Sequence, residues 1–411
     1  MVCIERVRSP DAAAPGRTSP VPSAPSLSEL LSAANDLIPI LRDRARTTEA
    51  QRRISDATMA EFRAAGFFRL LQPAAFGGYE YGFTALLDLI TTLGRGCTSS
   101  AWNCAIAVSH QWLIGGFPLQ AQRDVWSENP DAIACASYAP TGHAERTEDG
   151  QLIHGCWQFV SNVDNSDWAI LGINLPAAER GAPPEPSFVL VPRSNWRVED
   201  DWHVAGQCGT GSKSIVIEQP AFVPMHRRLA VSAAAAGSFS ANHARIPFLS
   251  ALPVCLVAPL LGTALGAIEQ FTEHCRSRLT RGTIAGAGNR MSEFYPVQSR
   301  VAEASALADA AQLLIQRDIA EVEYAVTGGR TLSLDERIRN RRDHAFAARL
   351  ARQAVDVLFQ AVGGEGLALD HPIQRMWRDA NAIVRHITLN WDAVSAMVGQ
   401  HLLGLVPKGQ Y

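Results

Sequence analysis

The sequence predicts an α+β protein in three parts: a helical N-terminal region, a central β domain and a C-terminal helical bundle. Three observations point there. Apolar residues recur at helical spacing from Leu27 to about Asn129. From about Pro130 to residue 235 the apolar runs are short and bounded by Gly, Pro, Asn and Asp, as strands are. From residue 236 to the end, long Ala-rich amphipathic segments return, which suggests four packed helices.

Taken in order, residues 1–26 are rich in Pro, Ser and Ala and are expected to be a disordered tail. Charges stand where the apolar core of a signal peptide would be, so no export is expected. Residues 27–129 hold the first helices, interrupted by Leu70–Pro73 and by a turn at Phe76–Tyr79. The run from Phe83 to Phe117 is apolar enough for a buried helix pair. Five strands are expected: Ile133–Ser137, Leu152–Val160, Trp168–Ile173, Ser187–Val191 and Ser214–Glu218. Beyond Pro247 three long helical segments are separated by Gly282–Gly288 and Gly328–Gly329. They are more apolar than a lone bundle needs, which favours an oligomer.

Composition excludes several classes. The chain has 411 residues and a net charge of −3, with no basic patch for nucleic acid. The eight scattered cysteines form no CxxC pair and read as reduced thiols of a cytoplasmic protein. No apolar run is read as reaching the length of a membrane span, roughly 18 residues. No GxGxxG follows a strand, so no nicotinamide site is expected. No zinc spacing occurs, so no metal is expected.

The stretch Ala361–Asp392 carries most of the chemistry. It opens with a glycine turn, Gly363-Gly364-Glu365-Gly366, that lets backbone approach a ligand. A helical pattern follows with Arg378 and Asp379, and His386 stands seven residues on, on roughly the same helix face. Trp102 and His110, eight residues apart, can likewise share a face. A histidine titrates near neutrality and can serve as base or hydrogen-bond donor.

The order GG-x-G, loop, RDA resembles the C-terminal segment of the acyl-CoA dehydrogenase superfamily. Many dehydrogenases carry a catalytic glutamate shortly after RDA. Here no carboxylate follows Asp379 before Asp392, and His386 stands close to the glutamate's place. That substitution resembles the flavin-dependent monooxygenase branch, the oxygenase components of two-component aromatic hydroxylases such as the p-hydroxyphenylacetate and secosteroid hydroxylases. The resemblance spans residues 30 to 405 and implies an acyl-CoA dehydrogenase-like fold: helices, a β-barrel-like middle and a four-helix bundle.

It also implies a cofactor and roles. Reduced FAD or FMN from a separate NAD(P)H:flavin reductase would meet O2, form a C4a-hydroperoxyflavin and hydroxylate an aromatic small molecule. Ser137 matches the threonine of the family's T-E-P-x-A-G-S-D strand end, although the residues after it depart. Trp157–Asn162 resembles K-x-W-I-T-N, with Phe159 at the tryptophan and Ser161 at the threonine that bonds near the flavin N5. Gly209-Thr210-Gly211-Ser212 is similar to the family's G-T-G-S loop near the flavin. Arg278 or Arg281 would meet flavin phosphate, often across a subunit boundary, and Gly363 and Gly364 would line the cofactor. Trp-x7-His resembles the substrate pocket, assigning Trp102 and His110 to it. Ser161, His110 and His386 are the catalytic candidates, with His386 as phenol base or peroxide stabiliser. A homotetramer is expected. The alternatives are an acyl-CoA dehydrogenase or oxidase, an N-oxygenase of an amine or amino sugar, and a flavin-free scaffold.

Overall fold

The computed structural model describes residues 24–177, 179, 181–237, 246–279 and 290–411. The expected tail up to residue 23, Arg281 and the Gly282–Gly288 segment lie outside the described residues.

The N-terminal region holds α1 (Leu27–Gln51), α2 (Asp56–Ala64), α3 (Phe83–Gly94), α4 (Thr98–Ile114) and α5 (Leu119–Trp126). Ser26 starts α1 with a capping box: its hydroxyl accepts from the Glu29 amide while the Glu29 carboxylate accepts from the Ser26 amide. Every residue of α4 is buried, so this helix has no polar face for water.

The middle is two four-stranded sheets. Strands β1 (Ala134–Ser137), β4 (Trp168–Leu175), β5 (Glu185–Pro192) and β8 (Arg228–Ala230) form one, in that spatial order. Strands β2 (His143–Arg146), β3 (Gly150–Val160), β7 (Lys213–Pro224) and β6 (Arg197–Glu199) form the other. Among the described residues only the β1–β4 pair is parallel. Trp157, Ile153, Val189, Val191 and Ile215 belong to the small core of this domain. All five expected strands are present with shifted ends. β2, β6 and β8 were not anticipated, because three or four residues are too few for a period-2 pattern to stand out.

The C-terminal region has a short helix, α6 (Val231–Ala236), then α7 (Phe248–Ser277), α8 (Tyr295–Thr327), α9 (Leu334–Val362), α10 (Pro372–Ile383) and α11 (Trp391–Leu402). Two expectations are corrected. First, α7 is long and apolar enough to cross a membrane, contrary to the sequence reading; nearly all of its apolar stretch is buried inside the protein, as a core helix is. Second, α10 ends at Ile383, so His386 does not share its face with Asp379; it caps a separate 3-10 turn, Ile387–Leu389.

One hydrophobic core runs from the N-terminal helices through α7, α8 and α9. Helices α3 and α7 meet backbone to backbone. A Cβ added at Gly262 would sit 2.3 Å from the Thr91 carbonyl oxygen and 2.6 Å from the Cα of Gly94. Gly262→Ala should therefore cost about 1–3 kcal/mol by overpacking, seen as a lower midpoint in urea unfolding with secondary structure unchanged.

Candidate active site

Helix α4 builds one wall. The Trp102 indole N–H donates to the Ser161 hydroxyl at 3.0 Å. Next to it, the Asn103 side chain donates to the Thr210 carbonyl at 3.2 Å, and the Asn162 amide reaches the same carbonyl at 3.0 Å. One helix thus clamps both β-domain loops, 161–162 and 207–212.

A buried chain of hydroxyls continues from there. Ser161 Oγ and Ser212 Oγ are 2.8 Å apart, Ser212 Oγ and Thr210 Oγ1 are 2.7 Å apart, and Thr210 donates to the Gln207 carbonyl at 2.7 Å. The Gln207 amide in turn donates to Asp379 Oδ1 on α10 at 2.6 Å. Burial pushes the Asp379 carboxyl up to about 6 against this bond.

Before Ser161, the β3–β7 register slips between Trp157 and Val160. This bulge holds Phe159 at φ +61°, a strained value for a side-chain-bearing residue. It throws the ring outward, 71% exposed, edge-on to Trp202. Ser137 supports the bulge by donating to the Gln158 carbonyl at 2.9 Å.

The two histidines have opposite tautomers. His110 Nδ1 lies 2.6 Å from the Ala134 carbonyl; a carbonyl only accepts, so Nδ1 carries the proton and Nε2 offers a lone pair. Nδ1 of His386 lies 3.2 Å from the Thr388 amide; an N–H only donates, so the neutral ring carries its proton on Nε2. Burial lowers both to about 4, with the Arg341 cation adding to the effect at His386, a residue that is half-buried overall. The His386 ring centroid is 6.1 Å from that of Trp102. His110 packs edge-on to the buried Tyr138 ring.

Trp102, Ser161 and His386 therefore come together, with Phe159 and Ser137 joined to them along the β strands and His110 two turns along α4. Arg278 does not join them. It pairs with Glu365 at 2.5 Å and with His274 at 3.0 Å, beside the Gly363–Leu367 3-10 turn. Gly363 has φ +74° and open space around it, so the left-handed backbone rather than crowding calls for glycine there. No feature of the sequence pointed to Thr388 or Arg341. Ser212 was legible only as part of its GTGS loop.

Among the described residues no carboxylate is hydrogen-bonded to Trp102, Ser161 or His386. A family model, the acyl-CoA dehydrogenase C-terminal domain, matches residues 254–391. The oxygenase component of an FADH(2)-dependent resorcinol hydroxylase from Rhizobium sp. (strain MTP-10005) is 42% identical, with 90% of this chain and 93% of that protein covered. This chain belongs to the flavin-dependent monooxygenase oxygenase components. Among solved structures, the 3-HSA hydroxylase of Rhodococcus sp. RHA1 is similar at a TM-score of 0.87 and 32% identity, over 93% of this chain and 98% of the other. XiaF from a Streptomyces species, solved with FADH2 and glycerol, is similar at 0.86 and 27%, over 93% and 97%. The oxygenase is a reduced-flavin-dependent monooxygenase on the acyl-CoA dehydrogenase fold.

The residues present fit that cofactor. Phe159 is an exposed flat ring beside hydroxyls, and the Gln207 side-chain amide is buried with neither polar atom paired among the described residues.

Because His110 and His386 are held neutral in the fold but titrate near 6.5 when unfolded, these two sites bind more protons in the unfolded chain between about 4 and 6.5, whereas Asp379, raised to about 6, acts with the opposite sign. The histidines' contribution to stability should be fully present above pH 6.5 and be lost as pH drops toward 4. The decline should be shallower in His110→Gln, measured by urea unfolding across that range.

Proposed function

We propose that the oxygenase hydroxylates a small phenol, with resorcinol a first candidate because a close relative bears that name. The observation that carries the reading is the opposite polarity of the two neutral histidines. The bare Nε2 of His110 accepts the phenol O–H and raises electron density on the ring. The Nε2–H of His386 donates to oxygen at the flavin side; it is the hydrogen-bond donor of the pair rather than the base.

Bound reduced FAD or FMN supplies the electrons that activate molecular oxygen. Phe159 gives its ring a platform and Ser161 holds its N5 edge. Ser137, its hydroxyl engaged by Gln158, acts through the strand rather than on the cofactor. Eight residues of α4, roughly 12 Å, separate Trp102 from His110, the span an aromatic ring would bridge between flavin and base. Trp102 walls that pocket.

Arg278 with Gly363 and Gly364 serves the phosphate end of a flavin held mainly by a second copy, so the working form is an oligomer, for which we propose a homotetramer. The exposed apolar run Leu402, Leu403, Leu405 and Val406 fits such an interface. A separate NAD(P)H:flavin reductase delivers the cofactor. The free cysteines fit the cytoplasm.

Mixing protein and anaerobically reduced FAD with resorcinol in oxygenated buffer should give hydroxylated product. His110→Ala should lower its rate by about 10²- to 10⁴-fold, and Ser161→Ala and His386→Ala should divert oxygen into hydrogen peroxide. If a panel of phenols gives no product while an amine does, the phenol reading falls in favour of N-oxygenation.

A further inference from the structure

Hydrogen-bond direction along the buried hydroxyl chain is fixed at its far end. The Gln207 carbonyl can only accept, so the single Thr210 hydroxyl proton points to it. Thr210 Oγ1 must then accept at its 2.7 Å contact with Ser212, which uses the Ser212 proton. Ser212 Oγ must accept at its 2.8 Å contact with Ser161, which uses the Ser161 proton. Ser161 already accepts from Trp102. Its proton is committed inward, and what remains for a ligand is one lone pair.

Oxidised and reduced flavin differ at the atom concerned. N5 of reduced flavin carries a proton and donates; N5 of oxidised flavin is bare and accepts. We propose that Thr210 and Ser212 are positioning residues that orient the Ser161 hydroxyl as an acceptor, so that the site selects reduced flavin over oxidised flavin. Asp379 extends the device into the bundle. By holding the Gln207 N–H it fixes one side of the residue whose carbonyl, in the next peptide group, sets the direction. An oxidised flavin would have to turn the Ser161 proton outward and break the chain at Ser212, leaving the buried Ser212 oxygen without its donor.

The inference rests on the proposed placement of Ser161 at flavin N5, and the test separates the two. Dissociation constants of oxidised FAD and of dithionite-reduced FAD are measured anaerobically by ultrafiltration, without turnover. The unaltered protein should bind the reduced form more tightly. Ser212→Ala frees the Ser161 proton and should tighten oxidised FAD by roughly ten-fold while changing reduced FAD much less. Thr210→Val should act in the same direction, and Thr210→Ser, which keeps the hydroxyl, should retain the original ratio. If Ser161→Ala shifts the ratio but Ser212→Ala and Thr210→Val leave it within about two-fold of the original, the relay is overturned and the placement of Ser161 stands. If Ser161→Ala leaves both constants unchanged, the placement and the relay fall together.

Discussion

The site depends on a three-way junction of α1, the 205–207 loop and α10. Arg378 donates to the Ala205 carbonyl at 2.7 Å and pairs with Glu49 of α1. Asp379 takes the next free amide, that of Gln207. The contact is close enough that a Cβ at Gly206 would fall 2.3 Å from the Arg378 carbonyl oxygen. Two adjacent charged residues of one helix thus join all three parts of the chain. A buried carboxylate spent on a backbone amide is costly to lose, since removing it leaves that donor without a partner. The RDA signature therefore has a physical reason in this chain: arginine braces the junction and aspartate holds the loop from which the hydroxyl chain hangs.

Much of this candidate site is legible in the sequence, and the legible part has a common character. Trp102, Ser161 and His386 are each fixed by a local motif with short spacing, and the fold brings those motifs together. Arg278 and Gly363 are equally local as motifs, yet they lie in a cluster of their own with His274 and Glu365. What separates them from Ser161 is tertiary placement, which no short sequence pattern encodes. Thr388 and Arg341 were invisible for another reason. One contributes only its backbone amide and the other only its charge through space, and neither leaves a mark in residue spacing. The placement of His386 on the helix of Asp379 was mistaken because nothing in the sequence after Ala382 signals that the helix stops.

The bulge at Phe159 shows how strain is used. A non-glycine residue in the left-handed region costs about 1–3 kcal/mol and persists only when its surroundings hold it. Here Ser137 ties the peptide on one side, while Trp157 is anchored through its indole N–H to the Gly172 carbonyl at 2.8 Å. The β domain's core thus offsets the energy of turning one aromatic ring toward solvent.

The contact of Gly94 with Gly262 bears on how the molecule is made. Helix α3 ends at Gly94 and α7 begins only at Phe248, with the whole β domain between them. At ribosomal speeds the first helices wait on the order of ten seconds for the segment that covers them. Until α7 emerges, the faces of α3 and α4 that pack on it have no native cover. The β sheets are thus an insertion in a helical body that cannot finish folding until most of its length has left the ribosome, and the nascent chain is a natural client for chaperones over that interval.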